Sequence, residues 1–213
     1  MVSTIAVFGA TGRTGRRVVE RALSHGLAVR VLARDPAKIV LADDRLTVIE
    51  GDVLDASSVD KTVAGAEAVV SVIGHVKGSP ATLQADGTTF IVNAMQRHGV
   101  SRIITLSGGG LRAEGKDKPK MADRMIRGLL KVLSGRVLAD AEAHVDVLKR
   151  SGLEWTVVRG PRLTEEPGTG SYRVGWVGGD STTKLSRDDL ADFILTQIDD
   201  RQYVWDMPFV SGR

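Results

Sequence analysis

Short apolar runs alternate along the chain with longer stretches in which apolar residues recur every three or four positions. Runs of the first kind are typical of buried parallel strands, and stretches of the second kind are typical of amphipathic helices. The pattern predicts strands at Thr4–Phe8, Ala28–Ala33, Leu46–Glu50, Ala68–Ile73, Arg102–Leu106 and Trp155–Val158. It predicts helices at Arg16–Leu23, Ser57–Ala64, Gln84–His98 and Ala139–Ser151. This alternation favours an α/β fold with a doubly wound parallel sheet covered on both faces.

The last part of the chain has shorter elements. Two short strands are expected at Ser171–Val174 and Thr182–Leu185, where they would form part of the wall of a substrate cleft. Ser186 is the predicted N-cap of a final helix. No low-complexity linker interrupts the 213 residues, and this length suits one domain with a full core. We therefore expect residues 1–213 to form a single domain.

Composition and charge exclude several kinds of site. The chain has no cysteine and four scattered histidines, so neither a thiolate nucleophile nor a metal site is expected. Lys and Arg total 29 against 26 Asp and Glu, and the basic residues are dispersed, which predicts no nucleic-acid partner. No apolar run approaches the length of a membrane span, and no leader segment is apparent. We expect a cytoplasmic protein without membrane contact, either a monomer or a small homo-oligomer.

The most informative chemistry lies between the first strand and the first helix, where three glycines are spaced three residues apart. A glycine bend in this position lets the backbone approach a pyrophosphate and directs the N–H groups of the helix toward it. An alternative is that the glycines serve only to make a tight turn. The predicted pyrophosphate-binding residues are Gly9, Thr11, Gly12, Arg13, Thr14 and Gly15.

The end of the second strand indicates which dinucleotide binds. Proteins that select NAD place an acidic residue there to hold the ribose 2′-hydroxyl, whereas this chain has Arg34. A guanidinium at this point can pair with a 2′-phosphate, and Arg13 could close on the phosphate from the other side. Asp35 fits better as the N-cap of a short helix that begins at Pro36. We predict NADP(H), with a merely solvated Arg34 as the alternative.

Residues that follow the other strands complete the predicted cleft, because ligands of doubly wound sheets lie across the carboxyl ends of the strands. Asp52 and Val53 are expected to hold adenine, although Asp52 could equally cap the next helix. Gly74 and Pro161 would frame the nicotinamide ribose and carboxamide. Ser107 is the candidate catalytic residue, which would orient the nicotinamide or a small-molecule acceptor.

Several motifs resemble those of a known family: Ile5–Gly15, Gly51–Leu54, Val59–Gly65, Ala94–Val100 and Pro167–Tyr172. They are similar to the atypical short-chain dehydrogenases/reductases with an NAD(P)H-binding, NmrA-like domain, and within that group to the reductases of flavin and biliverdin-IXβ. The resemblance implies a Rossmann-type fold. It also implies NADPH-dependent hydride transfer to a flavin or a related planar conjugated acceptor.

The chain departs from this family after two strands. Ser107 and Gly108 stand where the family has a threonine followed by an active-site serine, and Arg162 stands where the family has a histidine. These differences affect biliverdin reduction more than flavin reduction, because hydride transfer to an isoalloxazine depends chiefly on stacking and orientation. Any proton is then expected to come from solvent.

The tyrosine and lysine with which ordinary short-chain dehydrogenases polarise a carbonyl are also absent. Neither Tyr172 nor Tyr203 is followed by a lysine four positions on, and the corresponding helix positions are Ser134 and Leu138. An alcohol dehydrogenase of the ordinary type is therefore not expected. An NmrA-like protein that binds NADP(H) as a redox signal without turnover remains the alternative function.

The segment 111–136 predicts a basic amphipathic helix after a polar loop. It could be a lid that attracts anionic substrates, a solvated helix packed on the side of the domain, or a helix for a membrane surface or partner. Its basic residues are Lys116, Lys118, Lys120, Arg124, Arg127, Lys131 and Arg136. Its apolar residues are Met121, Met125, Ile126, Leu129, Leu130, Val132 and Leu133.

Overall fold

The computed structural model describes residues 2–179 and 181–213, apart from the side chains of Ala122, Ile126, Leu130 and Leu133. The strands are β1 (Thr4–Phe8), β2 (Ala28–Ala33), β3 (Leu46–Glu50), β4 (Ala68–Ser71), β5 (Arg102–Gly108), β6 (Glu154–Gly160), β7 (Arg162–Thr164), β8 (Tyr172–Gly175), β9 (Lys184–Ser186) and β10 (Phe209–Gly212). The α-helices are α1 (Arg13–Ser24), α2 (Ala56–Val63), α3 (Leu83–His98), α4 (Met121–Arg150) and α5 (Arg187–Thr196).

The main sheet has eight strands in the order β3-β2-β1-β4-β5-β6-β10-β8. All neighbouring pairs are parallel except β10 with β8. From β1, the strands β2 and β3 are added toward one edge of the sheet, and β4, β5 and β6 are added toward the other. The strand order therefore reverses between β1 and β4. This order confirms the predicted doubly wound, Rossmann-type sheet.

The two faces of the sheet are buried under different helices. Along β1, Ala6 and Phe8 belong to the apolar layer formed with α2, α3 and α4, whereas Ile5 and Val7 belong to the layer formed with α1 and α5. Successive side chains of a strand point to opposite faces, so a continuously apolar strand supplies both layers. The carboxyl edge of the sheet is thereby held between two rigid layers.

Helix α4 joins two segments that the sequence pattern separates. It is continuous from Met121 to Arg150, but Ser134 has non-helical dihedral angles, φ −140° and ψ 33°, and marks a kink. Side chains before this kink are largely exposed, with values of 75% for Met121, 71% for Met125 and 82% for Val132. The predicted apolar positions Ile126, Leu130 and Leu133 lie outside the side chains that the structure describes.

The C-terminal strands differ from the prediction. The segment expected at Ser171–Val174 forms β8, which is an edge strand of the main sheet rather than a wall of the cleft described below. The other predicted strand, β9, pairs with β7 in a separate two-stranded sheet. Ser186 caps α5 as expected, since its Oγ accepts a hydrogen bond from the N–H of Asp188 at 3.1 Å. Within the described residues, no helix combines the length and the apolar character needed to cross a bilayer.

Candidate functional site

Two adjoining clefts lie along the carboxyl edge of the sheet. Cleft A, of about 190 Å³, is formed where β1, β2, β3 and β4 end. Cleft B, of about 330 Å³, lies beyond the ends of β4, β5 and β6 and has α4 as one wall. Both are lined by Val72, Ile73 and Gly74, so they meet at the point where the strand order reverses. Ligands of doubly wound sheets bind at this point.

The glycine turn after β1 is required by packing at two of its three positions. Gly9 has φ +86°, and a Cβ there would lie 2.8 Å from the backbone carbon of Val72. A Cβ on Gly15 would lie 2.1 Å from the carbonyl oxygen of Gly9. A tight turn therefore accounts for Gly9 and Gly15, whereas Gly12 meets only the Gly9 oxygen, at 3.2 Å.

The same turn faces cleft A, which is lined by Gly9, Thr11 and Gly12. Helix α1 begins directly after it, and the N–H groups of its first turn, from Arg13 to Gly15, have no partner within the helix. That first turn contains no acidic residue. The N–H groups left without a partner in the helix and the positive end of the helix dipole create a site for an anion such as a pyrophosphate.

Arg34 follows β2 and lines cleft A. Its side chain is exposed, and among the described residues its guanidinium makes no hydrogen bond or ion pair. The adjacent Asp35 is engaged elsewhere: its Oδ1 accepts a hydrogen bond from the N–H of Ala37 at 3.2 Å and caps the short 3-10 turn Pro36–Lys38. The predicted cap is confirmed, and Arg34 is left as a cation at the end of the cleft.

Arg13 does not join Arg34. Its Nη1 lies 3.3 Å from Glu165 Oε1, and its side chain is absent from the lining of cleft A. Glu165 also pairs with Arg17 at 3.0 Å and with Arg187 at 2.9 Å. The predicted approach of Arg13 to a 2′-phosphate is therefore not seen, because the carboxylate of Glu165 holds the Arg13 guanidinium on the side of α5.

Two acidic residues follow β3, and the sequence left open whether Asp52 caps the next helix or lies in the cleft. Asp55 rather than Asp52 is the N-cap of α2, and its Oδ2 accepts from the N–H of Ser58 at 2.9 Å. Asp52 closes a small turn through its Oδ1, which accepts from the N–H of Leu54 at 2.9 Å. Asp52 and Val53 both line cleft A, next to its apolar wall.

Cleft B is mostly apolar and contains one unusual hydroxyl. Ser107 is 7% exposed, and its Oγ is buried with no hydrogen-bond partner among the described residues. A buried polar atom without a partner is unfavourable by about 1–3 kcal/mol, so its presence in a cleft points to a ligand. Gly74 and Pro161 line the same cleft, and a Cβ on Gly74 would have nothing within 4 Å.

The positions that would carry a tyrosine and a lysine in ordinary short-chain dehydrogenases face this cleft. Ser134 and Leu138 both line cleft B. A serine and a leucine cannot provide a low-pKa phenol, which agrees with the sequence analysis. Neither Tyr172 nor Tyr203 lines cleft A or cleft B.

A histidine and an aspartate that the sequence analysis did not select also belong to the site. His75 lines cleft B, and its Nε2 lies 2.7 Å from Oδ2 of the buried Asp140 on α4. The carboxylate of Asp140 also accepts from the N–H groups of Gln84, at 2.7 Å, and Ala85, at 2.9 Å, in the first turn of α3. His75 directly follows Gly74 after β4, and this position was the only available sequence signal.

His144, one turn further along α4, has a different role. Its Nδ1 lies 2.9 Å from the carbonyl oxygen of Ala141 and its Nε2 lies 3.1 Å from Thr105 Oγ1. Burial lowers the pKa of this imidazole, which favours the neutral ring. We assign His144 a structural role.

A doubly wound sheet with a glycine turn, a free helix N-terminus and a cation at the end of its second strand defines a Rossmann-type dinucleotide-binding protein. The chain belongs to the NAD(P)H-binding family, which it matches over residues 9–201. This match confirms the family resemblance and the NAD(P)H-binding character expected from the sequence.

Solved structures share the fold at low sequence identity. A short-chain dehydrogenase/reductase from Veillonella parvula DSM 2008, solved in complex with NADP, superposes with a TM-score of 0.83 at 19% identity and covers 100% of this chain and 95% of that one. An anaerobillin reductase from Escherichia coli O157:H7 superposes with a TM-score of 0.80 at 18% identity and covers 99% and 97%. The fold is therefore one that reductases use.

An uncharacterised chloroplastic protein of Arabidopsis thaliana is 30% identical over 176 residues. The aligned part covers 78% of this chain and 61% of the relative. The chain spans less than two thirds of the length of the curated relatives it matches.

Proposed function

We propose that the protein is an NADPH-dependent reductase that transfers hydride to a flavin or a related planar conjugated acceptor. The observation that carries this proposal is the contrast between the two joined clefts. Cleft A combines helix N–H groups with the unpaired Arg34, which suits a phosphorylated nucleotide. Cleft B has mainly apolar walls and one buried hydroxyl, which suits a ring system.

Each proposed cofactor contact rests on a described feature. The first turn of α1, with Gly9, Thr11, Gly12, Arg13, Thr14 and Gly15, would hold the pyrophosphate through backbone N–H groups. Asp52 has one carboxylate oxygen engaged by Leu54 and would use the other toward the adenine amino group, while Val53 covers the ring. Gly74 and Pro161 would border the nicotinamide ribose and carboxamide.

The proposed preference for NADP(H) rests on Arg34. Asp35, the acidic residue next to Arg34, caps the turn that begins at Pro36 and does not line cleft A. A planar guanidinium recognises phosphate through paired, charge-assisted hydrogen bonds. The bound NADP in the similar structure from Veillonella parvula supports this proposal.

Reduction needs the donor and the acceptor to meet where the two clefts join. The reduced nicotinamide of the cofactor would supply the hydride. Gly74 leaves room at the junction, and the leucine-rich walls of cleft B exclude water from the acceptor. Ser107 would orient the ring or its substituents through its otherwise unpartnered hydroxyl.

A stopped-flow measurement tests the proposal. Purified protein mixed with NADPH and FMN should oxidise NADPH well above the rate of free flavin alone. The Gly74→Val variant, in which the junction of the clefts is filled, is the background control. Absence of acceleration with flavins and with other conjugated acceptors contradicts the proposal.

A second candidate function is an NADP(H)-binding regulatory protein without turnover. The exposed apolar side chains of Met121, Met125, Leu129 and Val132 favour it, because they form a stripe on the segment of α4 that leads to the wall of cleft B. A regulator of this kind should bind NADP⁺ and NADPH with different affinities and reduce no acceptor. Equal affinities, or turnover, would argue against it.

A further inference from the structure

We infer that His75, held by Asp140, is the proton donor for acceptors that take hydride at carbon and a separate proton at nitrogen or oxygen. This inference rests on the proposed reductase function and deepens it. The sequence alone predicts a proton from solvent, because the active-site serine and the histidine of related reductases are missing. The structure instead places a histidine in cleft B, directly after the glycine at which the two clefts join.

The orientation of the His75 imidazole is fixed by its contact with Asp140. His75 is 15% exposed at its side chain and Asp140 is 1% exposed, with 2.7 Å between Nε2 and Oδ2. Because Nε2 donates to the carboxylate, Nδ1 is the ring nitrogen that remains for a ligand, and it makes no hydrogen bond within the described part of the chain. A ring that is oriented through one nitrogen and open at the other can pass a proton to a ligand.

Asp140 is suited to support a positively charged imidazole. Its carboxylate accepts from two backbone N–H groups in the first turn of α3, of Gln84 and Ala85, in addition to His75. Such hydrogen bonds and the positive end of the helix dipole stabilise a buried carboxylate. Asp140 is therefore a positioning residue, which fixes the ring and compensates its charge.

The proposed step adds a hydride and a proton to two different atoms of the acceptor. Hydride from NADPH forms a C–H bond at an electrophilic carbon of the acceptor, and the displaced π electron pair moves to a conjugated nitrogen or oxygen. His75 Nδ1 gives its proton to that atom, which leaves a neutral imidazole and NADP⁺. The exposed part of the ring lets His75 regain a proton from water. A flavin needs this donor less, because it takes the hydride at a ring nitrogen and its reduced isoalloxazine can leave as an anion.

The test compares two classes of acceptor in the full-length protein. FMN, which takes hydride at a ring nitrogen, represents the first class. Biliverdin and chalcone represent the second class, in which hydride adds to carbon and the proton adds to nitrogen or to an enolate oxygen. His75→Gln should lower kcat about 100-fold or more for the second class and leave FMN reduction and the Kd of NADPH within about threefold. His98→Gln, at the far end of α3, is the matched control and should change none of these values.

Equal losses for both classes, no loss in a folded variant, or wild-type turnover of FMN alone would overturn the inference. Wild-type protein that reduces neither class overturns the proposed function, and this inference with it. NMR provides a second readout, since four histidines allow assignment by substitution. Adding acceptor to the NADP⁺-loaded protein should shift the ring signals of His75 and not those of His98, and an unshifted His75 ring would overturn the inference.

Discussion

Arg159 and Asp117 form a doubly hydrogen-bonded ion pair in the interior. Nη1 of Arg159 lies 2.7 Å from Oδ2 of Asp117, and Nη2 lies 3.0 Å from Oδ1. The two side chains are 0% and 4% exposed. Arg159 also donates to the carbonyl oxygens of Leu111 and Met207, both at 2.8 Å. The pair thus ties the end of β6, beside cleft B, to two loops that have no strand or helix of their own.

Removing the carboxylate should destabilise the fold strongly. Asp117→Asn leaves the Arg159 guanidinium buried without its counter-charge, for which we expect a loss of about 3–5 kcal/mol in the free energy of unfolding. Glu142→Gln is the matched control, because Glu142 pairs with Arg127 at an exposed position. It should cost about 0–1 kcal/mol. Urea denaturation of the two variants measures both values, and similar losses would contradict the expectation.

The ion pair of Arg159 and Asp117 also predicts that the free energy of unfolding depends on pH. Burial acts to raise the pKa of Asp117, but hydrogen bonds from Arg159 and from the N–H groups of Ala113 and Val177 outweigh it and hold the pKa below its ordinary value of 3.8. The folded protein therefore binds this proton less readily than the unfolded chain. The stabilisation is present above the ordinary pKa and is lost as the pH falls through the lowered one.

The difference in unfolding free energy between wild type and Asp117→Asn should accordingly be largest near neutral pH and should shrink at acidic pH. Urea denaturation at about pH 6 and about pH 3 checks this. A difference that grows on acidification would show that the pKa of Asp117 is not lowered.

Charge reversal at Arg34 tests the assigned contact with the 2′-phosphate. Arg34→Glu removes hydrogen bonds to a charged group that are worth about 1.5–3 kcal/mol, so the Kd of NADPH should rise roughly 10- to 100-fold or more. The Kd of NADH should change much less. Lys38→Glu, an equal charge change at a neighbouring exposed residue, is the control. Fluorescence titration gives all the values, and an unchanged Kd of NADPH for Arg34→Glu would refute the contact.

The Gly74→Val variant tests whether the space beside Gly74 is needed for binding of NADPH and not for folding. A Cβ at Gly74 meets no protein atom within 4 Å, so the variant should fold with nearly unchanged stability. Its side chain would nevertheless fill the junction of the clefts, and binding of NADPH should be lost. Gly175→Val, on the edge strand β8, also places its Cβ in open space and should bind NADPH normally. Retained affinity in Gly74→Val would show that the cofactor lies elsewhere.

Ser107→Ala should have opposite effects on stability and on function. Removing a buried hydroxyl that has no partner should raise the free energy of unfolding of the ligand-free protein by about 1 kcal/mol. Turnover should fall, because the orienting group is gone. In Ser211→Ala, by contrast, a buried hydroxyl that accepts from the N–H of Thr182 is lost, so stability should fall. Thermal denaturation and NADPH oxidation measure the two effects, and a destabilised Ser107→Ala would indicate a structural role.

Local sequence patterns were sufficient to predict much of the fold and the residues that line the clefts at the ends of the strands. The apolar runs fixed the strands at the centre of the sheet, and the glycine spacing identified the turn because strand, turn and helix are consecutive in the chain. Arg34, Asp52 and Gly74 were selected because each follows a strand, and Ser107 because it lies at the carboxyl end of one. All four line the clefts, since parallel strands end at one edge.

Features that depend on residues far apart in the chain were not accessible to the same reasoning. Asp140 meets His75 across 65 positions, and no periodicity marks either of them as part of a pair. Glu165 meets Arg13 across 152 positions, so the diversion of that guanidinium could not be anticipated. Strands as short as β7 and β10 have too few residues for alternation to be recognised.

The contact between α1 and α5 has a consequence for synthesis on the ribosome. Val18 and Val19 of α1 share an apolar layer with Leu190 and Ile194 of α5, and Arg17 is bound to Asp188 at 2.8 Å. Helix α1 is therefore covered on one side by a helix that is translated much later. A nascent chain keeps part of this apolar surface open to solvent and to chaperones until α5 has been translated. The glycine turn that precedes α1 thus acquires this support only after α5 has emerged.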